Sequence, residues 1–266
     1  MNKKWVIKEK GDPAVVRQLA DVENISETIA NLMVQRGITT SEEAKVFFEP
    51  NLEYLHDPFM MKGMTIAVER ISTAINKNEK ILVYGDYDVD GTTAVALVYS
   101  FLREQYSNVE YYIPDRYKEG YGVSLMAIDF AQDMNCKLMI TLDCGIKAVH
   151  KVKYARSKGI DVIICDHHYP GDEIPDAVAV LDPKQTGCSY PYKELSGCGV
   201  GFKLIQAYAK IHNIPFSDIS GYLDLVAVSI ASDIVPVTGE NRVLAYFGMK
   251  QLNDAPRTGL REIIRE

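Results

Sequence analysis

The sequence has no apolar run approaching about 18 residues, so no membrane-spanning helix is expected. Its N-terminus, MNKKWVIKEKGD, carries basic residues but no apolar segment behind them, so no secretory signal is expected either. No CxxC pair occurs among the five cysteines. The odd count, with Cys136, Cys144 and Cys165 in or beside apolar stretches, points to reduced core thiols in a cytoplasmic protein. Internal repeats and low-complexity stretches are absent as well. So is any excess of positive charge: 29 Lys and Arg stand against 36 Asp and Glu, a net charge of −7. That balance argues against a nucleic-acid binder working through a broadly basic surface. It leaves room for an enzyme whose acids are concentrated in a metal site.

What is present is ordinary globular composition, 266 residues with 47% hydrophobic and 24% charged, enough for one large or two small domains. Residues 1–77 read as a helical N-terminal segment packing on the core, with helical spacing over 26–36, 41–48 and 62–76. Thr40 and Ser41 followed by Glu42 and Glu43 form a helix-start signal. From Lys80 the rhythm changes. Short apolar runs at 81–84, 109–113, 138–142, 162–165 and 177–181 alternate with helical patterns at 92–103, 124–133 and 147–158. Uninterrupted hydrophobic strands joined by helices predict an α/β fold, a mostly parallel central sheet with helices on both faces. After Pro183 the pattern is helical again, over 200–211, 219–231 and 241–252.

In such a sheet, ligands bind beyond the carboxyl ends of the strands. The first strand is followed by GDYDVDG, with Asp86, Asp88 and Asp90; the third by DCG, with Asp143; the fourth by DHH, with Asp166, His167 and His168. A later apolar helix runs into SDIVP and Asp233. One acid at a strand end is usually a helix cap or a turn former. Several acids brought to one edge repel one another unless cations neutralise them. Carboxylates mixed with imidazole suit Mn²⁺ or Mg²⁺, and this many donors favours two ions, which together stabilise in-line displacement at a phosphoester.

Three other readings of the same residues are weaker. As an EF-hand loop starting at Asp86, the sequence has Leu97 where the bidentate Glu should stand, and a strand where a helix should enter. DVDGT is similar to the motif of haloacid-dehalogenase-like phosphatases with Asp88 as nucleophile, but GDY separates it from its strand, and DHH has no part there. Cys144 and Cys198 lie near the acids, yet no His–Cys arrangement can be argued for a thiol nucleophile. The GCGVG stretch lacks dinucleotide-loop spacing. Its glycines open a helix and fit either a phosphate approach or close packing.

The ordered set DYDVDG, DCG, DHH and the late Asp resembles the DHH phosphoesterase family. FFEPNLEYLHDP, VYGDYDVDGTTA, YYIPDRYKEGYG, TLDCGI, LDPKQ, SGCGVGFKL and ASDIVPV further resemble RecJ-type single-stranded-DNA exonucleases, over nearly the whole chain. The resemblance implies a metal-dependent 5′→3′ exonuclease of DNA repair and recombination, with two Mn²⁺ or Mg²⁺ ions. It implies Asp88 and Asp90 as metal ligands, Asp143 as the bridging ligand, and His167 and Asp233 completing the set. Asp86 would be a further ligand or a supporting acid. Asp166 would orient an imidazole, and His168 would contact the scissile phosphate. Arg116, Gly120 and Gly122 would grip the nucleotide backbone, joined by Gly199 and Gly201 if GCGVG approaches a phosphate. The implied partners are single-stranded DNA and a single-strand-binding protein or helicase. The implied domains are a catalytic domain over 78–252 and, over 253–266, the start of a helix connecting to a second domain outside the sequence. Two alternatives remain: a DHH phosphoesterase of short oligonucleotides, cyclic dinucleotides or pyrophosphate, and a non-catalytic scaffold binding DNA or a replication protein. Against the scaffold stands the full set of mutually repelling acids.

Overall fold

In the computed structural model, residues 4–265 are described. The chain divides into two compact units, Met1–Tyr54 and Leu55–Glu266. The first holds α1 (Pro13–Glu23), α2 (Glu27–Val34) and α3 (Ser41–Phe48). Each begins on a side-chain cap: Asp12 ahead of Pro13, Ser26, and Thr40 in a reciprocal capping box with Glu43. Val16, Leu19 and Ala20 of α1 are buried with Ala30 of α2. The sequence pattern did not announce α1, whose start is written only in the Asp-Pro pair, an N-cap followed by a proline at the first helical position.

The second unit opens with α4 (Met64–Asn76), which belongs here and not with the N-terminal helices as the 1–77 reading had it. Periodicity shows that a helix has a buried face but not which layer will cover it; Ala67, Val68, Ile71 and Ala74 are buried in this unit, where α4 packs on α8 and β5. The sheet comprises β1 (Lys80–Gly85), β2 (Val109–Tyr112), β3 (Cys136–Leu142), β4 (Asp161–Cys165) and β5 (Ala179–Leu181). Its order is β2-β1-β3-β4-β5 and every pairing is parallel. α6 (Leu125–Asp133) and α7 (Val149–Ser157) cover one face, meeting Leu82, Tyr84, Met139 and Ile164. α5 (Val89–Gln105), packed on β1 and β3, and α8 (Gly197–Ile211), packed on β3 and β4, cover the other side. The α/β fold with helices on both faces is thus as the alternation predicts.

The remaining helices are α9 (Phe216–Ser220), α10 (Leu223–Ser232), α11 (Gly239–Asp254) and α12 (Thr258–Arg265). The single helix expected over 219–231 is two, broken at Gly221 and Tyr222. In the 253–266 stretch, α11 ends at Asp254 and α12 is a separate element. Arg257 between them is tied to Asp224, Nε to Oδ1 at 2.8 Å. Among the described residues no helix is long and apolar enough to cross a membrane. All five cysteines are free, and Cys136, Cys144, Cys165 and Cys198 are buried.

The register decides the site. Gly85 pairs with Leu142, Leu142 with Cys165, and Cys165 with Leu181, so four strands end level. The ladder runs one residue further: the N–H of Asp86 donates to Leu142 O at 3.3 Å, that of Asp143 to Cys165 O at 2.9 Å, and that of Asp166 to Leu181 O at 2.9 Å. Asp86, Asp143, Asp166 and Asp182 therefore stand in a row across the carboxyl edge.

Candidate metal centre

His167 lies at the middle of the cluster. Its Nε2 is 3.1 Å from Asp143 Oδ1, 3.6 Å from Asp233 Oδ2 and 3.7 Å from Asp90 Oδ2. The donor atoms of Asp90, His167 and Asp233 lie within 4.8 Å of one another, and so do those of Asp143, His167 and His168. Both triads share His167. Asp90, Asp143 and His167 are buried. His167 Nδ1 and Nε2, Asp143 Oδ1 and Asp86 Oδ2 are buried without hydrogen-bond partners. Buried polar atoms in native proteins are ordinarily satisfied. Orphaned atoms on Asp143 and His167, whose donor atoms lie within 4.8 Å of each other and are of the types that divalent cations prefer, fit the predicted ions.

The carboxyls register the uncompensated charge. Burial, with Asp90 and Asp88 as like-charged neighbours, pushes Asp143 up to about 10. Burial raises Asp233 and Asp86 in the same direction, helped by Asp90 and Asp88 respectively. Asp166 behaves oppositely. Burial alone would raise it, but its hydrogen bond with His168, supported by the N–H groups of Ile146 and His168, holds it below the usual carboxylate range. His168 Nδ1 sits 2.8 Å from Asp166 Oδ1, and that contact raises the imidazole above its ordinary value. Asp166 thus sets the direction of His168, whose Nε2 is 3.1 Å from the Tyr121 hydroxyl.

Asp90 is placed by elements distant in sequence. Its Oδ2 accepts from Gly197 N at 2.7 Å, and its Oδ1 accepts from Cys198 N and the Ser229 hydroxyl, each at 2.7 Å. The first turn of α8 thus closes on the carboxylate, as helix N-termini do on anions. A side chain at Gly197 would meet Asp143 Cβ at 2.6 Å, so only glycine lets the helix end come this near. Asp143 holds a left-handed backbone, φ 58°, which is uncommon for a residue with a side chain.

The other predicted residues divide into three groups. Asp88 caps α5, accepting from Gly91 N at 2.9 Å, and lines a small exposed hollow with Asp90 and Asp233 while remaining outside the tight cluster. Asp86 spends Oδ1 on Gly122 N at 3.2 Å and so ties the EGYG loop to the site. Gly120 and Gly122 occupy left-handed turn conformations, φ 75° and 79°, and Arg116 is exposed on the same loop with its guanidinium 4.9 Å from the Tyr87 ring centroid. Gly199 and Gly201 are a correction. Both are buried inside the packing of α8, Gly199 donating to Ser196 Oγ at 3.1 Å and Gly201 closing on Val98 and Leu142. Close packing, not a phosphate approach, accounts for them.

Three contributors were not singled out from the sequence. Ser229 lies mid-helix in an apolar stretch, where serine carries no signal. Asp182 was legible in principle, as the acid after the last strand; it is buried, its Oδ2 is unpartnered, and burial raises it to about 7. Tyr121 gives itself away only through its contact with His168.

Residues 80–230 match the family model described as "DHH family, N-terminal domain". The chain is 43% identical to the single-stranded-DNA-specific exonuclease RecJ of Bacillus subtilis over 98% of its own length and 32% of that protein's. It is 33% identical to RecJ of Escherichia coli over 89% of this chain and 42% of that one. The chain therefore spans about a third to two fifths of the length of these relatives. Among solved structures, RecJ of Thermus thermophilus in complex with Mn²⁺ is similar over 97% of this chain and 36% of that one, with 27% identity and a TM-score of 0.80. Matched over more than half its length by the family's own domain, this chain belongs to the DHH family.

Proposed function

We propose that this chain is the catalytic part of a metal-dependent exonuclease that hydrolyses the phosphodiester backbone of single-stranded DNA. One observation carries the reading: Asp90, Asp143, His167 and Asp233 converge within ion-coordinating distance, and buried donor atoms of Asp143 and His167 have no hydrogen-bond partner among the described residues. Similarity to exonucleases named for single-stranded DNA, and to a RecJ structure with Mn²⁺, supports the substrate and the metal. Attack from the 5′ end, a role in repair and recombination on strands exposed by a helicase or coated by a single-strand-binding protein, and a cytoplasmic setting belong to the same reading.

Asp90, Asp143, His167 and Asp233, with Asp88 at the margin, would hold two Mn²⁺ or Mg²⁺ ions. Such ions lower the pKa of water and stabilise charge developing on a phosphoryl group. The chain's own residues do the rest. Asp166 fixes the His168 ring and favours its protonated form, so His168 presents a directed cationic donor to a phosphate oxygen. Arg116 offers a second cation on a loop that Asp86 ties to the site.

Cleavage of a 3′-labelled single-stranded oligonucleotide, with Mn²⁺ and with EDTA, tests the reading. A metal-dependent ladder shortening from the 5′ end, lost in Asp143→Ala with the fold intact, is expected. Cleavage that survives EDTA or that substitution would refute it. A length series separates the alternative small-substrate phosphoesterase, which would cut dinucleotides and spare longer strands.

A further inference from the structure

α7 and its flanks form a strongly basic stretch in an acidic chain. No Asp or Glu occurs between Asp143 and Asp161, while Lys147, His150, Lys151, Lys153, Arg156 and Lys158 all fall in that interval. Arg156 pairs with Asp176, and Lys158 is 3.9 Å from Asp129. Lys147, Lys151 and Lys153 have no ion pair among the described residues. Two of them, Lys147 and Lys151, stand with His150 on the rim of a cleft of ≈ 330 Å³.

Tyr121 also lines the cleft, and Val123, Ile146 and Ala148 give it an apolar lining. Asp166 and His168, the pair assigned above to the scissile phosphate, line it as well. Tyr121 joins the two sites directly through its hydroxyl contact with His168 Nε2. An apolar slot with an aromatic wall suits a nucleobase, because every base offers a π-face for stacking. Cations at the rim suit the phosphates on either side of that base. The size falls within the range of small-ligand sites.

We infer that the cleft between Tyr121 and α7 is a nucleotide subsite: it takes the base of the nucleotide adjoining the cut phosphate, and Lys147 and Lys151 hold the flanking phosphates. The inference rests on the nuclease reading and deepens it. It gives the chain a cationic path into an acid-rich centre, so an acidic protein handles a polyanion through one local element. It also implies that the enzyme grips a base without reading its identity, since the lining offers shape and apolar surface in place of a hydrogen-bond code.

Calorimetric titration in Mn²⁺ buffer with dAMP, with dTMP and with deoxyribose 5-phosphate tests it. Both nucleotides should bind at least about tenfold tighter than the sugar phosphate, with little difference between them. Ala148→Trp fills the cleft and should bring all three ligands within about twofold. The double variant Lys147→Glu/Lys151→Glu, made at the rim where folding is not at stake, should weaken all three by about tenfold or more. Equal binding of nucleotide and sugar phosphate by the unmodified protein overturns the subsite, as does a nucleotide advantage undiminished in folded Ala148→Trp. If Ala148→Trp fails to fold, unchanged binding in the charge-reversed variant overturns the assignment of Lys147 and Lys151. The cleavage assay on the same preparation separates the two readings. Cleavage with no advantage of either nucleotide over the sugar phosphate refutes the subsite alone, whereas a nucleotide advantage without cleavage refutes the nuclease reading and leaves a nucleotide-binding cleft.

Discussion

Asp90 illustrates how much of a carboxylate's placement is decided by the residues around it. Two backbone N–H groups and one hydroxyl occupy its lone pairs, fixing the carboxylate plane. Ser229 is the removable member. Its Oγ also lies 2.6 Å from Ser196 Oγ, whose lone pair caps α8 through Gly199 N. Ser229→Ala should weaken Mn²⁺ affinity by about tenfold to a hundredfold, the usual range for groups supporting a ligand. It should cost about 1–3 kcal/mol of stability by leaving a buried acceptor short of one donor. Metal titration and denaturant melts of the metal-free protein check the two effects separately, and unchanged affinity refutes the positioning role. The acids of the site were legible in the sequence because each follows an apolar strand or, for Asp233, an apolar helix. Ser229 was not, because its meaning comes from a contact 139 residues away. Gly199 and Gly201 stayed open between a phosphate approach and close packing for a related reason: sequence shows that a glycine permits close approach, not what approaches.

At the scale of elements, α8 joins the site to the body of the fold. Its first turn grips Asp90, and one turn further Lys203 forms a fully buried pair with Glu240 of α11, Nζ to Oε1 at 2.8 Å. Tyr190 donates to the other oxygen of Glu240 at 2.5 Å, and Lys203 also donates to His56 O at 2.8 Å. Removing one partner from such a network leaves an uncompensated charge. Glu240→Ala should therefore cost about 3–5 kcal/mol, and Lys203→Met combined with Glu240→Gln markedly less. Chemical denaturation of the two variants distinguishes a network held by charge pairing from one held by packing, in which case the double variant would be as unstable as the single. At the other end of the contact, Gly197→Ala should cost roughly 1–3 kcal/mol by overpacking against Asp143. It should also weaken Mn²⁺ binding, since Asp143 must move or the α8 N–H groups must withdraw from Asp90. The strands and most helices of this layer were legible from period alone. The start of α8 at Gly197 was not, because glycine has poor helix propensity and only the tertiary grip on Asp90 makes helix the better state there.

Across the whole second unit, strands ending level at one edge leave acids where water is scarce, and the fold carries that repulsion until cations relieve it. The sign of the resulting pH dependence follows from Asp143. In the unfolded chain its carboxyl loses the proton near the ordinary value of 3.8; in the folded, metal-free protein it keeps the proton up to about 10. Between those limits the folded state binds more protons, so this group's contribution to stability is full below about pH 4 and drains away as pH rises toward 10. Asp182, raised to about 7, acts in the same sense over a narrower window. Metal-free protein in EDTA should melt at progressively lower temperature from pH 5 to pH 9, and Asp143→Asn should flatten that slope. Mn²⁺ at a hundred times its dissociation constant should add about 2.7 kcal/mol of stability. At a fixed Mn²⁺ concentration the gain should be larger at pH 8 than at pH 5.5, because the ion competes with the protons that the acids otherwise retain. A wild-type melting profile no steeper than that of Asp143→Asn would refute the repulsion account. A Mn²⁺ gain that is greater at the lower pH would show that the ion binds elsewhere than this row of carboxylates.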